Sequence, residues 1–403
     1  MSAPPERTHA LRQLHDDWLR LVHAQIPDAI ARRHHLHAHP HLSAQEEPTA
    51  AALEEMLEID MERVAVTGRI GRIGPREGPG VLIRAELDAL PVTEATAVPY
   101  ASTNGAMHAC GHDVHQAALV AVVAAARQLD LPLGLVPLLQ PREETYPSGA
   151  WDCVEAGVLE RYSVGVAIGA HVHPAVPAGA VATGAGVVNA AADEIEILVR
   201  GLGGHGAYPH RAADPIAAIA HVALALPEIV RRSVSPMRPA TMSVGHLQAG
   251  EASANVLPAE ARILATMRTT DSEDRRRIQQ QVTRFATSQA EAFGVTAEVT
   301  ITAGEPVLYN DPDLVERMDA WLERSGMETT EPMRSLGADD FSFFGEVVPA
   351  VMSFVGVQVA GHPTPPQLHH PEFLPTDDAI LAVATAMVAG YLAGVELLEG
   401  STG

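Results

Sequence analysis

The run MHACGHDVHQAALVAVVAAARQL, residues 107–129, joins a polar motif to a long apolar segment. Residues 116–129 are almost entirely Ala, Val and Leu and are too many for one strand, which predicts a buried helix. Upstream, residues 81–85 (VLIRA) are short and apolar and are bounded by chain breakers, which predicts a buried strand. We therefore expect the polar motif to lie between a buried strand and a buried helix.

The same alternation of strands and helices continues on both sides of this run. Residues 133–140 and 164–172 are further candidate buried strands, and residues 149–159 form a predicted helix between them. Apolar residues at helical spacing predict further helices at residues 9–37, 49–57, 312–324 and 378–397. This order is typical of an α/β domain, in which a mostly parallel sheet carries helices on both faces. Such sheets bind ligands beyond the carboxyl ends of their strands, where the polar motifs of this chain fall.

The pattern changes near residue 190. Residues 195–199 alternate apolar and polar side chains, as do residues 299–301, and this period of two is typical of antiparallel strands with one covered face. Predicted helices near residues 214–232 and 272–293, with strands near 241–246 and 259–268, complete a β-α-β-β-α-β order. The sequence therefore predicts an α+β, ferredoxin-like domain at residues 189–302, inserted into a catalytic domain formed by residues 1–188 and 303–403.

Composition excludes several classes of function. The 403 residues carry 50 acidic and 27 basic side chains, a formal net charge of -23, so a nucleic-acid backbone would be repelled. We expect no contact with a membrane, because no run of 18 or more apolar residues is apparent. The first residues lack the order of a signal peptide, which predicts a cytoplasmic location. In that reducing compartment, Cys110 and Cys153 are expected to be ligands or buried thiols, not a disulfide.

Two pairs of residues have the chemistry of a metal site. Cys110 and His112 are separated by one glycine before the predicted helix, whose N-terminus is expected to favour the thiolate; a buried thiol beside a helix start would fit the pair equally well. Glu143 and Glu144 follow a predicted strand and point in different directions, so one can bind a metal while the other faces a substrate. Taken alone, the two acids would also fit a solvated loop.

Histidines at two further places extend this set. His171 ends the apolar strand at residues 164–172, and His369 and His370 lie in a loop near the C-terminus. Each histidine alone is weak evidence, because the chain has 20 of them. Together with Cys110 and the two glutamates, they offer the mixture of sulfur, nitrogen and oxygen donors that suits zinc or a similar transition metal.

Six motifs in order along the chain make a resemblance specific. They are RHHLHAHP (33–40), RAELDALP (84–91), MHACGHD (107–113), QPREE (140–144), GHGAYPH (204–210) and GADDF (337–341). The chain resembles the aminoacylase/carboxypeptidase family of binuclear metallohydrolases, in the amidohydrolase branch that includes hippurate hydrolases, N-acyl-amino-acid hydrolases and plant auxin-conjugate hydrolases. The resemblance covers nearly the whole chain.

The resemblance implies a role for each matching residue of the catalytic domain. Two divalent ions, zinc or alternatively manganese or cobalt, are implied. Their implied ligands are Cys110, His112, Glu144, His171 and His369, with His370 as the alternative to His369. Glu143 is then the general base and acid, and Asp88 orients the ligands.

The resemblance also implies roles in the inserted domain, which would act as a lid and a dimerisation domain. His205 would stabilise the oxyanion, often in the active site of the partner subunit, so a homodimer is implied. Asn255, Arg268 and His210 are candidate substrate-binding residues. Asn255 fits a polar turn equally well, Arg268 could face solvent at a strand end, and His210 could cap the loop before the next helix.

These features predict a metal-dependent amidohydrolase that cleaves N-acyl amino acids or related small amides. A dipeptidase or carboxypeptidase using the same site is the alternative enzyme, and a metal-binding module without turnover is the alternative outside catalysis. Glu86, Arg142 and residues 146–148 (YPS) depart from the usual family pattern. The last of these departures lies beside the predicted catalytic pair, so it bears on substrate preference more than on hydrolysis.

Overall fold

The structure, a computed structural model, describes residues 5–400. The chain divides into two compact units: the first runs up to Val188 and includes Tyr309–Met333 and the residues from Asp340 onward, and the second consists of Asn189–Leu308 and Arg334–Asp339. The helices are α1 (Pro5–Ala38), α2 (Glu47–Leu57), α3 (His112–Ala126), α4 (Gly149–Glu155), α5 (Val158–Arg161), α6 (Pro215–Ser233), α7 (Ser272–Ala292), α8 (Pro312–Arg324), α9 (Ser342–Gly345) and α10 (Asp378–Gly400). The strands are β1 (Met61–Val64), β2 (Gly68–Gly71), β3 (Gly80–Glu86), β4 (Gly134–Gln140), β5 (Val164–His173), β6 (Ala180–Ala182), β7 (Gly186–Asn189), β8 (Ala191–Arg200), β9 (Gly204–His205), β10 (Ala240–Ala249), β11 (Val256–Leu257), β12 (Glu260–Thr269), β13 (Thr296–Ala303), β14 (Leu308–Asn310), β15 (Glu328–Thr329) and β16 (Ala350–Gly356).

The first unit is built on an eight-stranded sheet with the order β1-β2-β4-β3-β5-β16-β6-β15. Its four central strands, β4, β3, β5 and β16, are parallel to one another, whereas β2 and β6 on either side of them pair in the antiparallel direction. Every residue of β3, β4 and β16 is buried, as expected for parallel strands covered on both faces. No strand was predicted at β16, although this strand lies at the centre of the sheet between β5 and β6.

Successive residues of β5 show that both faces of this sheet are covered. A side chain at Gly390 of α10 would meet Ile168, whereas a side chain at the next strand residue, Gly169, would meet Phe341 and Met352. Since neighbouring residues of a strand point to opposite faces, α10 and the Phe341 segment lie on opposite sides of the sheet. The predicted α/β class, a mostly parallel sheet with helices on both faces, is confirmed.

The helix α10 is more apolar than the sequence analysis expected. By length and composition it is the one described helix that could cross a membrane, but 78% of its most apolar window is buried inside the protein. Tyr391 of α10 packs edge-on against Trp18 of α1, with ring centroids 4.9 Å apart, and Trp18 donates a hydrogen bond to the Val122 carbonyl of α3. The apolar surface of α10 therefore belongs to the hydrophobic core of this unit.

The second unit contains a four-stranded antiparallel sheet with the order β10-β12-β8-β13. With α6 and α7, the elements follow the predicted β-α-β-β-α-β order, and the inserted α+β, ferredoxin-like fold is confirmed. Along β12, buried and more exposed residues alternate, because one face of the sheet is covered by helices.

The second unit extends beyond the predicted boundary at residue 302. Backbone pairing continues past β13, because Gly304 N–H donates to the Ala192 carbonyl. Ser335 bridges to Asn189, and Ala190 N–H donates to the Gly337 carbonyl, which ties a later segment to the start of the unit. Such long-range backbone contacts leave no periodic pattern in the sequence.

Candidate metal centre

The polar motifs lie at one edge of the parallel sheet. Strands β3, β4 and β5 run in the same direction, so their carboxyl ends share an edge. Asp88 lies just beyond β3, Glu143 and Glu144 follow β4, and His171 lies near the end of β5. The chain thus places these four side chains at the edge where open α/β sheets bind ligands.

Gly111 allows Cys110 and His112 to face this edge. His112 is the first residue of α3, and Gly111 before it has a φ of 83°, in the left-handed region that favours glycine. A Cβ atom at Gly111 would lie 2.3 Å from Cγ2 of Val172. Only glycine fits both the backbone conformation and the close approach of β5, which brings Cys110 next to His171.

The five predicted ligands come together at this edge. The candidate ligand atoms of Cys110, His112 and His171 all lie within 4.8 Å of one another, as do those of Cys110, Glu144 and His369. A third group consists of His112, Glu143 and Glu144. Cys110 Sγ lies 3.5 Å from Nε2 of His171. Two overlapping sets of donors that share Cys110 have the composition of a binuclear site.

Backbone carbonyls fix how two of the histidines face this cluster. Nδ1–H of His112 donates to the carbonyl oxygen of Asp88 at 2.8 Å, and Nδ1–H of His171 donates to that of Val172 at 2.7 Å. Both imidazoles therefore turn Nε2 toward the cluster. Among the residues that the structure describes, no hydrogen-bond partner reaches Nε2 of His112, which is buried. A bare, buried imidazole nitrogen fits a metal ligand.

Asp88 supports two ligands at once. Besides its carbonyl bond to His112, its Oδ2 accepts hydrogen bonds from the Ser43 hydroxyl at 2.7 Å and from Glu144 N–H at 3.0 Å. Burial raises the pKa of Asp88, although His112 and these two hydrogen bonds oppose that effect. Asp88 therefore contacts the segments that carry His112 and Glu144 directly.

The loop that carries the two glutamates is anchored through Arg142. Arg142 N–H donates to Oε1 of the buried Glu46 at 2.9 Å, and Thr67 donates its hydroxyl to the other oxygen of the same carboxylate. The Arg142 side chain turns away from the cluster, donating to the Pro147 carbonyl at 3.1 Å and pairing with Asp152. This unusual residue therefore braces the loop.

His369 joins the cluster and His370 does not. Nε2 of His369 lies 3.4 Å from Oε1 of Glu144. The backbone N–H of His369 donates to the carbonyl of Ala109, the residue before Cys110. His370 instead accepts a hydrogen bond from the backbone N–H of Glu372. The geometry therefore favours His369, which the sequence analysis preferred over His370.

The expectation that the helix N-terminus favours the Cys110 thiolate is wrong for the protein without metal. Burial raises the pKa of the Cys110 thiol well above its ordinary value, and the carboxylates of Glu144, Glu143 and Glu86 raise it further. The helix dipole is weak beside full burial among acids. A bound divalent cation would reverse this balance, because a coordinating thiol is deprotonated.

The residues present fit a pair of divalent cations. The cluster combines one thiol, three imidazoles and two carboxylates within a buried or half-buried region. Carboxylates gathered in this way need positive charge nearby. A model of peptidase family M20/M25/M40 matches residues 82–393, which is more than three quarters of the chain and includes all of these residues.

The chain belongs to peptidase family M20/M25/M40. Over 369 residues it is 34% identical to the N-acetylcysteine deacetylase of Bacillus subtilis, covering 89% of this chain and 94% of that protein. It is 41% identical over 301 residues to the N-acyl-L-amino acid amidohydrolase of Geobacillus stearothermophilus, covering 72% and 80%. The crystal structure of Bacillus subtilis YXEP, a dinuclear metal binding peptidase from the M20 family, matches with a TM-score of 0.79 and 32% identity over 93% of this chain and 99% of that one. The family resemblance predicted from the six motifs is confirmed.

The M20 chain carries four more predicted residues in its second unit. His205 pairs with Val256 in the short β9–β11 ladder, and Gly206 N–H donates to the carbonyl of Asn255, so His205 and Asn255 are neighbours. His205 is exposed. These two residues therefore form one local group.

His210 and Arg268 are placed differently. His210 is exposed in a 3-10 turn at Pro209–Arg211, and Asp214, not His210, caps α6 by accepting a hydrogen bond from Ile216 N–H. The Arg268 guanidinium donates to Thr266 and to the Met267 carbonyl within its own strand. Arg268 lies near the far end of β12 from the β9–β11 ladder. Within this unit the structure does not bring it to His205.

The role of His115 and the partners of Asp113 were not predicted from the sequence. His115 is fully buried between Glu86 and Val172, and Arg33 and His37 of α1 both bind the Asp113 carboxylate, at 2.9 Å and 3.1 Å. A signal existed. A histidine one turn into a helix of Ala, Val and Leu is a buried polar group, and such groups require hydrogen-bond partners.

Proposed function

We propose that this protein hydrolyses the amide bond of N-acyl amino acids, releasing a carboxylate and a free amino acid. The observation that carries the proposal is the cluster of Cys110, His112, Glu144, His171 and His369 with Glu143 beside it. The proposed substrate class is also that of the two relatives whose names specify N-acyl or N-acetyl amino acids.

The cations would be held by the five ligand residues. Zinc suits this donor set, and manganese or cobalt would fit as alternatives. When bound, the cations would polarise the amide carbonyl and lower the pKa of water, and neither effect is available from the side chains alone.

Glu143 supplies the proton transfers. Its carboxylate lies 3.8 Å from Nε2 of His112, and 13% of its side chain is exposed, so it borders the ligands while remaining accessible. In the proposed reaction Glu143 takes a proton from the attacking water and later donates it to the nitrogen of the leaving amine. Asp88 keeps His112 and Glu144 in place during both steps, because it binds the imidazole and the Glu144 backbone.

We assign His205 and Asn255 to the substrate. Their neighbouring positions and the exposure of His205 support a shared role, with the imidazole stabilising the oxyanion and the amide binding the substrate. Arg268 is a weaker candidate for a substrate contact, because its guanidinium already donates within its own strand, whereas His210 is exposed at the turn Pro209–Arg211 and is kept as a candidate. We further propose that the second unit acts as a lid, that the protein is cytoplasmic, and that it forms a homodimer through this unit.

A mixing experiment tests whether His205 acts across the dimer. His205→Ala and Glu143→Gln subunits are each expected to be inactive alone. In an equimolar mixture about half of the dimers are mixed, and one of the two sites in each mixed dimer combines an intact Glu143 with an intact His205 from the other subunit, so about a quarter of wild-type activity returns. No recovery despite subunit exchange, or a fully active monomer by light scattering, would refute the cross-subunit role.

The test of the reaction compares substrates and one carboxylate. We expect the metal-loaded protein to hydrolyse N-acetyl and N-benzoyl amino acids faster than free dipeptides; the reverse order would favour a dipeptidase. Glu143→Gln should lower kcat by on the order of 100- to 10,000-fold while keeping its metal content. The matched control is Glu155→Gln, at an exposed position of α4, which should keep full activity. Normal turnover by Glu143→Gln would refute the proposed mechanism.

A further inference from the structure

One group of buried polar side chains beside the cluster has no part in the proposed reaction. It consists of His115 on α3, Glu86 at the end of β3 and Arg84 two residues before it, and each is almost completely buried. Nδ1 of His115 lies 2.9 Å from Oε2 of Glu86, and the Arg84 guanidinium lies 3.2 Å from Oε1 of the same carboxylate. Burying three such groups is costly unless they are paired, so their contacts with the site require an explanation.

The ring of His115 has only one arrangement of protons that satisfies its neighbours. Val172 N–H points at Nε2 of His115 at 2.9 Å, and a backbone N–H can only donate. Nε2 must therefore accept, which leaves the proton on Nδ1, where it is donated to Glu86. Glu86 thus sets the tautomer of His115, and the tautomer makes Nε2 an acceptor for the backbone of β5.

This arrangement also excludes His115 as a ligand. Glu86, His115 and His171 could form a metal-binding triad by distance alone, since their candidate atoms lie within 4.8 Å of one another. Both nitrogens of His115, however, are already used by Glu86 and Val172. The group supports the cluster without binding to it.

The peptide groups of Val172 link this support to a ligand. The N–H of Val172 is held by His115, while its carbonyl accepts Nδ1–H of His171 at 2.7 Å and so turns Nε2 of His171 toward Cys110. The side chain of Val172 lies against Gly111, which leaves no room for the strand end to move toward α3. A shift of Val172 would therefore move the imidazole of His171.

We propose that Glu86 and His115 are positioning residues that aim His171 at the metal centre by holding the backbone of Val172. This inference rests on the proposed function, because it takes His171 to be a ligand. The pair acts through hydrogen bonds, so a side chain that keeps the acceptor for Nδ1–H should preserve the effect, and an apolar side chain should abolish it.

The test measures Zn²⁺ affinity by competition with a chromophoric chelator in four variants. His115→Phe and Glu86→Leu should each bind Zn²⁺ 10- to 100-fold more weakly, which is a common effect of removing a group that supports a ligand. Glu86→Gln should remain within a few-fold of wild type, because its amide oxygen still accepts Nδ1–H. The double variant Glu86→Leu/His115→Phe should be no weaker than His115→Phe alone, since both changes break one chain of contacts. Co²⁺-loaded His115→Phe should show an altered thiolate absorption band.

Asp193→Asn is the matched control, because Asp193 is also a buried acid paired with an arginine, Arg275, but lies in the second unit. It should lose stability without losing Zn²⁺ affinity.

In the unaltered protein, ¹⁵N spectra of labelled histidines should show a neutral His115 ring with the proton on Nδ1, whether or not a variant folds. Wild-type Zn²⁺ affinity in His115→Phe and Glu86→Leu, or a proton on Nε2, would overturn the inference. If the wild-type protein itself bound no Zn²⁺, the proposed function would fail instead.

Discussion

Replacing Gly111 by alanine should damage the metal centre through a steric clash whose distance the structure gives. The φ of 83° costs an alanine about 1 to 2 kcal/mol relative to glycine. The added Cβ would lie 2.3 Å from Cγ2 of Val172, more than 1 Å inside the ordinary separation of about 3.5 to 4.0 Å between carbon atoms. Relieving such an overlap costs about 1 to 3 kcal/mol. We expect Gly111→Ala to lower the free energy of unfolding of the first unit by about 2 to 5 kcal/mol.

The variant Gly105→Ala separates the cost of the positive φ from the cost of the steric overlap. Gly105 has nearly the same φ, 84°, but nothing lies within 4 Å of a Cβ atom there, so only the backbone cost of about 1 to 2 kcal/mol applies. Urea unfolding gives both values. Because the overlap displaces Val172 and the ligands on either side of it, Gly111→Ala should also lose activity on the order of 100-fold and lose bound metal. Equal stabilities for the two variants, with full activity in Gly111→Ala, would refute this reasoning.

Two further predictions concern charge and ligation. The buried His37 lies between Asp113 and Glu94, and these acids outweigh burial and raise its pKa to about 9. Since the folded pKa exceeds the ordinary 6.5, the stabilisation is fully present below pH 6.5 and is lost as pH rises through 9. Urea unfolding should show that the free energy of unfolding falls by about 3 kcal/mol between pH 6.5 and 9, and His37→Gln should abolish this fall. The same pH dependence in the variant would exclude His37 as its source. Cys110→Ala should lose metal and activity together, whereas Cys153→Ala, at another buried thiol, should keep both; a Cys110→Ala protein that retained metal would not have Cys110 as a ligand.

The periodicity of apolar residues in the sequence was sufficient to predict the strands and helices whose buried side chains repeat regularly. The all-apolar strands β3 and β4 and the alternating strands of the second unit have the patterns that their burial requires. It failed where structure depends on distant partners. The predicted helix at 149–159 is two helices, α4 and α5, because Gly157 between them has a φ of 64°. The attachment of Arg334–Asp339 to the second unit depends on backbone pairing across more than 140 residues, which no local pattern can report.

Some features of the candidate site could likewise be predicted from the sequence, and others could not. The ligand set was implied by the family resemblance, and the positions of Glu143, Glu144 and His171 at or after strand ends agree with the sheet edge at which such sites form. The orientation of each ligand could not be predicted, since His112 and His171 are aimed by backbone carbonyls and every residue has one. His115 was missed for the complementary reason: its partners are a side chain from another strand and a backbone N–H, and neither is adjacent in sequence.

Charge gives the strongest physical reason for cations at this place. Glu143 and Glu144 lie beside the Cys110 thiol, Asp88 binds the Glu144 backbone, and His369 is a half-exposed histidine paired with Glu144. Because carboxylates held close together and shielded from water repel one another, the folded chain stores an electrostatic cost at this edge of the sheet. A divalent cation removes that cost only in the folded state, where the donors are assembled. Binding must then stabilise folding, so chelation should lower the melting temperature as well as the activity. A melting temperature unchanged by complete metal removal would mean that the assembled acids are neutralised by protons instead.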